Sequence, residues 1–428
     1  MVSKMKSINP ITFVHCADLH LDSPFEGIHA LEPDIASILR DATFKAFDNV
    51  VNLAICKKAD FLIIAGDVYD GADRSLRAQL RFRDGLRKAI ENNIQCFVAH
   101  GNHDPLSGWE AGLIMPEGVH RFGGKDAEQF TIRRGSEDLA YIYGISYPVR
   151  NVQENLVPRF KPEVSAPFTI GVLHCNVGGD PSHDNYAPCV VDDLVNCRID
   201  YWALGHIHTR KVLSDSAPCI VYPGNTQGRS VRELGARGCY HVRVDETGRV
   251  KTEFVATDLI RWSTKKVDIT DLDTVDDLLS ALYKSREEAR SQAEGRAVVL
   301  RLRLIGRGDL HSKLKRVEPD RDLAKVLREG ESERSDFVWM ESIEVATRPP
   351  IDITKRRGVE DFVGYFLRAA ERLRKQSKAE SDILELLKGK PENRVIANQI
   401  DHLSDTDLLS ILDDAETLGL DQLIGEEE

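Results

Sequence analysis

Five short motifs able to offer oxygen or imidazole donors recur along the first 210 residues, mostly where an apolar run ends. Asp18 and His20 come after the run at 12–16; Gly66, Asp67 and Asp70 follow 61–65; Gly101, Asn102, His103 and Asp104 follow 95–99. His174 closes the run at 169–174, and Gly205, His206 and His208 come after the one at 201–204. Such short runs read as strands, with two more at 141–145 and 219–222, while helical periodicity lies at 35–58 and 74–92. Strand–helix alternation predicts an α/β domain whose functional groups gather in loops at the C-terminal strand ends.

One such motif alone is weak, because Asp-x-His occurs in ordinary loops and Gly, Asn and Asp favour turns. Five in chain order at strand ends leave little to coincidence, since a rigid sheet can aim all of them at one point. Asp18, His20, Asp67, Asn102, His174, His206 and His208 therefore form a candidate ligand set. Seven donors are too many for one tetrahedral ion and suit two ions sharing a carboxylate. The Asp, Asn and His mixture without Cys fits Mn2+, Fe2+ or Zn2+. Two ions roughly 3.5–4 Å apart lower the pKa of water and brace both oxygens of an in-line phosphoryl displacement. Glycines ahead of Asp67, Asn102 and His206 let the chain turn sharply. His103 is the candidate to protonate or stabilise a leaving oxygen, with Asp70 holding its ring in the useful tautomer. His15 and His100 read as structural, and His183, His311 and His402 as loop or helix surface residues.

A length of 428 residues predicts two or three domains. No stretch approaches the ~20 apolar residues of a membrane helix, and residues 1–10 hold no apolar secretory core. Eight cysteines without a C-x-x-C pair point to reduced thiols and a cytoplasmic protein. The net charge of −12 is local: residues 395–428 carry ten acidic residues and no Lys or Arg, leaving −2 for the rest. Overall acidity thus does not argue against a nucleic-acid partner.

The strand–helix pattern defines a catalytic domain at 1–260. A small α+β cap domain is expected at 261–350, with strands at 267–269, 297–304 and 342–345 and helices at 275–294 and 323–329. The third region, 351–428, reads as helical. Val359, Phe362, Val363, Phe366, Ala370 and Leu373 form an apolar stripe in it, and Ser404 and Asp407 open an acidic helix.

The ordered motif set resembles the calcineurin-like metallophosphoesterase superfamily over roughly residues 11–225. The resemblance implies an α/β/β/α sandwich around two mixed sheets. It also implies one metal on Asp18, His20, Asp67 and His208 and a second on Asp67, Asn102, His174 and His206, with Asp67 bridging. His103 and Asp70 match the catalytic dyad of that family. Residues 15–25 (HCADLHLDSPF) and 222–229 (YPGNTQGR) are most similar to the YhaO-type bacterial DNA repair exonucleases, relatives of SbcD. Asp22, Ser23, Pro24 and Phe25 depart from SbcD, which usually has a glycine soon after the metal His, and favour the YhaO-like branch.

The implied activity is a two-metal DNA phosphodiesterase, most readily Mn2+-dependent, acting as a repair exonuclease. Arg210, Lys211, Arg229, Arg232 and Arg237, in loops after the last ligand motif, are candidates to pair with flanking phosphates. An SMC-like coiled-coil ATPase is the implied partner, docking on the 359–373 stripe; a homodimer stays open. The alternative is a small-molecule or cyclic-nucleotide phosphoesterase with the same dinuclear centre, which would need neither cap nor basic loops. A scaffold that has lost catalysis is disfavoured by the complete ligand set.

Overall fold

The structure, a computed structural model, describes residues 8–25, 33–71, 75–108, 111–163, 165–316, 318, 321–375 and 405–424. The expected helix start at Arg74, His402, the Ser404 cap and the acidic residues Asp401, Glu426, Glu427 and Glu428 lie outside these, as do the side chains of 405–410.

The first sheet contains β1 (Ile11–Cys16), β2 (Phe61–Ala65), β3 (Gln95–Ala99), β4 (Val119–Arg121), β11 (Gly238–Val244) and β12 (Val250–Ala256), in the order β12-β11-β1-β2-β3-β4. Its partner contains β5 (Glu128–Arg134), β6 (Glu137–Ile145), β7 (Thr169–His174), β8 (Tyr201–Gly205), β9 (Lys211–Ser214) and β10 (Cys219–Tyr222), in the order β5-β6-β7-β8-β10-β9. Both are mixed: β1 to β4 run parallel, as do β6, β7, β8 and β10, while β11 pairs antiparallel with β1 and β12, and β5 and β9 pair antiparallel with β6 and β10.

The central strands read as unbroken apolar runs because both of their faces are buried. Phe13, Phe61, Ile63, Phe97, Ile170, Val172, Tyr201 and Ala203 meet between the sheets. Val14, Leu62, Ile64 and Val98 point the other way, onto α1 (Pro33–Cys56) and α2 (Leu76–Glu91), through Phe47, Val51, Phe82 and Leu86. Trp202, Leu204 and Leu173 face outward from the second sheet beneath Leu194 of the short α3 (Val191–Asn196). These four layers are the α/β/β/α sandwich, a metallophosphoesterase-like fold. The edge strands β4, β5, β9 and β12 were invisible as apolar runs, since edges alternate or carry charge.

A third sheet, ordered β13-β14-β15, combines β13 (Ile260–Asp268), β14 (Ala297–Ile305) and β15 (Val338–Val345) with α4 (Val275–Gln292) and α6 (Asp322–Arg328). Strand β13 starts seven residues before the expected 267 because Arg261, a polar break in the sequence, is buried against Asp258 (3.2 Å) and Glu294 (2.9 Å). Trp262, Val299, Phe337 and Trp339 share a core with Ile35, Leu39 and Ala42 of α1. The first compact unit accordingly takes in the described residues of 1–267, 274–305 and 316–346.

The second unit comprises 268–273, 306–315 and the described residues from 347 onward. It holds α5 (Leu310–Leu314), α7 (Ile353–Arg357), α8 (Phe362–Lys375) and α9 (Asp405–Ile424). The expected stripe is half realised. Val363 and Leu367 are buried with Leu420 of α9, whereas Val359 (41% exposed) and Phe362 (71%) stay in solvent. A Cβ at Gly419 would fall 2.4 Å from Phe366, so glycine permits this close approach. Arg374 pairs with Asp413 and Glu416, so part of the C-terminal acidity is used internally. His311, expected at the surface, is buried and bonded to Thr347 (3.0 Å). No helix among the described residues is long and apolar enough to cross a membrane.

Candidate metal centre

Strands β1, β2 and β3 of one sheet and β7 and β8 of the other deliver their C-terminal ends to one cluster. The turn after β1 is zipped to the turn after β2: the Asp18, His20 and Leu21 amides donate to the carbonyls of Gly66 (3.0 Å), Asp67 (3.1 Å) and Val68 (2.9 Å). Asp18, His20, Asp67 and His206 sit at φ of 52°, 44°, 51° and 98°, a left-handed region costing about 1–3 kcal/mol for each non-glycine residue. Of the three glycines expected to turn the chain, only Gly66 has positive φ (97°). Gly101 and Gly205 serve close approach: a Cβ would fall 2.3 Å from Asp67 Oδ1 at the first and 1.8 Å from the Ala65 carbonyl at the second. Asp104 braces the β3 turn, accepting from the amides of Gly101 (2.7 Å) and Val68 (2.9 Å) and from His100 Nδ1 (3.0 Å).

The seven candidate ligands form two groups. Asp18, His20 and His208 converge in one, with the two Nε2 atoms 3.1 Å apart. Asp67, His174 and His206 form the other, joined by Asn102, whose Oδ1 is 3.0 Å from His174 Nε2 and 3.1 Å from His206 Nδ1. Asp67 Oδ2 stands between them, 3.9 Å from His20 Nε2 and 3.3 Å from His174 Nε2.

This donor set fits divalent metal. Donors bound at roughly 2.0–2.2 Å stand about 3 Å apart, as these do. Three rings have their remaining nitrogen fixed by an acceptor: His174 Nδ1 donates to Ala65 O (3.0 Å), His206 Nε2 to Asp184 O (2.7 Å) and His208 Nδ1 to Glu233 Oε1 (2.6 Å). Each fixed N–H turns the other nitrogen's lone pair inward. Burial pushes the pKa of His20 and of His206 down to about 3, which keeps both rings in the neutral, ligating form. Burial opposes charge on His174 too, but the Asp67 carboxylate outweighs it and raises that ring to about 9.

His103 lies beside the first group, its ring centroid 5.0 Å from that of His20. Its Nδ1 is 2.6 Å from Asp70 Oδ1, which leaves Nε2 directed away from the carboxylate. Burial lowers its pKa, yet the Asp70 hydrogen bond and the charges of Asp67 and Asp70 raise it overall, favouring a ring that can donate a proton. Asp70 also accepts from Ser23 Oγ (2.8 Å) and Arg229 Nη1 (2.9 Å).

The basic residues divide. Arg232 and Lys211 are exposed, and Arg210 lays its guanidinium over the Phe254 ring at 4.0 Å. Arg229 is instead committed to Asp70. Arg237, expected as a phosphate contact, is buried and bonded to the carbonyls of His208 and Leu234, so it holds the loop. His183, expected at the surface, stands half-buried beside the site, with ring centroids 4.7 Å from His208 and 5.4 Å from His206. Its loop is tied down by Asn176, which bonds the amide (2.7 Å) and carbonyl (3.1 Å) of Asp180. Glu233 and the Asp184 carbonyl also escaped sequence reading: one is a lone acid in an irregular loop, the other a backbone atom.

Comparison with known proteins agrees with this geometry. A family profile described as Calcineurin-like phosphoesterase matches residues 11–210, and one described as Metallophosphoesterase YhaO, middle domain, matches 262–348. The chain is 33% identical over 413 residues to an uncharacterized metallophosphoesterase YhaO of Bacillus subtilis (strain 168), covering 96% of this chain and 97% of that one. It is 24% identical over 308 residues, 67% of each chain, to the DNA double-strand break repair protein Mre11 of Archaeoglobus fulgidus. With the protein of the same description from Thermoplasma acidophilum it shares 30% identity over 234 residues, 52% of this chain and 57% of the other. The chain belongs to the calcineurin-like metallophosphoesterases of the YhaO type. It is a metal-dependent hydrolase of phosphate esters built around a dinuclear site.

Proposed function

We propose that this protein is a DNA phosphodiesterase, an exonuclease that uses two Mn2+ ions held by Asp18, His20, Asp67 and His208 and by Asp67, Asn102, His174 and His206. The observation carrying the DNA substrate is the likeness to Mre11 DNA repair proteins over two thirds of the chain. Two divalent ions supply positive charge that polarises a phosphoryl group and lowers the pKa of water. The chain's own contribution is orientation and proton transfer. His103 presents Nε2 to the leaving oxygen and donates its proton, while Asp70, bonded to Nδ1, orients the ring and stabilises its protonated form before the transfer. Exposed Arg210 and Arg232 bind phosphates flanking the scissile one, a contact without sequence preference. An SMC-like ATPase docks on the start of α8 and the segment before it, where Phe362 and Val359 are exposed, because Val363 and Leu367 are covered by α9.

The test incubates purified protein and Mn2+, with Fe2+ and Zn2+ in parallel, with labelled linear duplex, single-stranded DNA and bis-p-nitrophenyl phosphate. Degradation from DNA ends is expected. Hydrolysis of the small ester with intact DNA overturns the nuclease reading, and activity surviving Asp67→Ala overturns the two-metal one.

A further inference from the structure

Arg229 and Glu233 occupy the irregular loop after β10, and neither side chain reaches far into solvent (13% and 11% exposed). Glu233 uses both carboxylate oxygens: Oε1 takes the Nδ1 proton of His208 (2.6 Å) and Oε2 takes the backbone amide of Arg229 (2.6 Å). The Arg229 guanidinium stays within ion-pair range of the same carboxylate, Nη2 3.9 Å from Oε1, while its Nη1 donates to Asp70 Oδ2 (2.9 Å), and Asp70 Oδ1 meets His103 Nδ1 (2.6 Å). A continuous chain of hydrogen bonds thus runs imidazole, carboxylate, backbone amide and guanidinium, carboxylate, imidazole. It begins on a candidate ligand and ends on the candidate proton donor.

We propose that Arg229 and Glu233 form a positioning bridge that fixes His208 and the His103–Asp70 dyad in one register. The proposal rests on the reading of the imidazole cluster as metal-binding and of His103 as a proton donor. Neither bridging residue touches substrate. Glu233 selects the His208 tautomer whose Nε2 lone pair faces the first donor group, as carboxylates behind ligating imidazoles do. Arg229 holds Asp70 from the side opposite His103, with Ser23 as a second donor on the same oxygen. A loop of five residues therefore sets the separation between a ligand and the acid that must work beside it.

The bridge separates two effects. Arg229→Met keeps the amide that bonds Glu233 and loses the hydrogen bond to Asp70 together with the longer 3.9 Å ion pair to Glu233. It is expected to leave Mn2+ affinity within twofold while lowering kcat on labelled DNA more than tenfold, with KM nearly unchanged. Glu233→Gln cannot accept from both His208 and the Arg229 amide. It is expected to weaken Mn2+ binding 10–100-fold, read by calorimetric or electron paramagnetic titration without substrate. At saturating Mn2+ the double variant should turn over no more slowly than the slower single one, because both substitutions release the same dyad. Glu233→Asp supplies the metal measurement if Glu233→Gln does not fold.

Unchanged Mn2+ affinity in a folded Glu233 variant overturns the proposal, as does an Arg229→Met defect confined to KM, which would make Arg229 a substrate contact. Multiplying kcat losses in the double variant also overturn it. Wild-type protein that binds Mn2+ but spares DNA would count against the nuclease reading alone, with a small phosphodiester of an unactivated alcohol, whose departure needs a proton, replacing DNA in the kinetic arm.

Discussion

The strand-end turns of the two large sheets and the three-stranded sheet β13-β14-β15 treat buried charge in opposite ways. In the turns, four non-glycine residues adopt left-handed backbone, and acids and imidazoles crowd at 3–4 Å with inward lone pairs. Around the smaller sheet the buried carboxylates Glu331 and Glu341 end on arginines. Glu331 meets Arg290 (2.7 Å), Arg286 (3.2 Å) and the Val338 amide (2.6 Å), and Glu341 meets Arg301 (2.8 Å). The first region gives up stability to hold a geometry; the second uses charge to close a core. Substitutions should therefore separate activity from stability according to where they fall.

The largest effect is expected at His103. Its replacement by Ala should lower DNA turnover by about 10²–10⁴-fold, the range for general acid catalysis, with metal content and melting temperature unchanged. The loss on bis-p-nitrophenyl phosphate should be much smaller, because nitrophenolate departs without needing a proton. An equal loss on both substrates would assign His103 a role other than proton donor.

Glu331→Ala should do the reverse, stripping Arg286 and Arg290 of their buried carboxylate and leaving them the more exposed Glu287 and Asp336, which should destabilise the protein by about 3 kcal/mol in denaturant unfolding, the low end for a broken buried pair. Activity measured well below the melting temperature should persist. If activity disappears with stability intact, the division between the two regions fails.

Metal removal should act on the first region alone. Free Mn2+ at roughly 100 times its dissociation constant adds about 2.7 kcal/mol per independent site, which chelation should abolish in wild type and in Glu331→Ala alike. In the second compact unit, Leu420→Ala should cost about 2 kcal/mol, the low end for a buried leucine because the Val363, Leu367 and Leu420 cluster is small. Faster hydrogen exchange in α8 and α9, with no change in turnover, would show it.

Much of this was legible in the sequence because parallel strands buried on both faces read as bare apolar runs, and the donors stand directly after them. Strands at sheet edges, such as β5 and β9, carry too much polarity to be seen this way. Arg261 hid the start of β13, since a charge paired with Asp258 three residues before it and with the distant Glu294 looks like a loop until the fold brings the latter in. His183 and Glu233 lie outside any period, and their nearness to His208 arises only from loop geometry. The left-handed turns were equally silent, because Asp and His give no backbone warning where Gly would.

The candidate donors come from five strands split between two sheets that pack through apolar side chains such as Phe61, Ile63, Ile170 and Val172 and are tied by His15 to Tyr201 (3.0 Å) and by His174 to the Ala65 carbonyl (3.0 Å). The apolar part of that contact fixes position along the strands by shape alone, and the two buried hydrogen bonds pin it. A slide of one residue, about 3.3 Å, would move His174 and His206 past Asn102 and Asp67 and exchange every pairing at once. Phosphoester hydrolysis by this protein is thus a gauge of sheet alignment: any substitution in the interlayer that lets the sheets drift will be reported first as lost turnover, long before the chain unfolds.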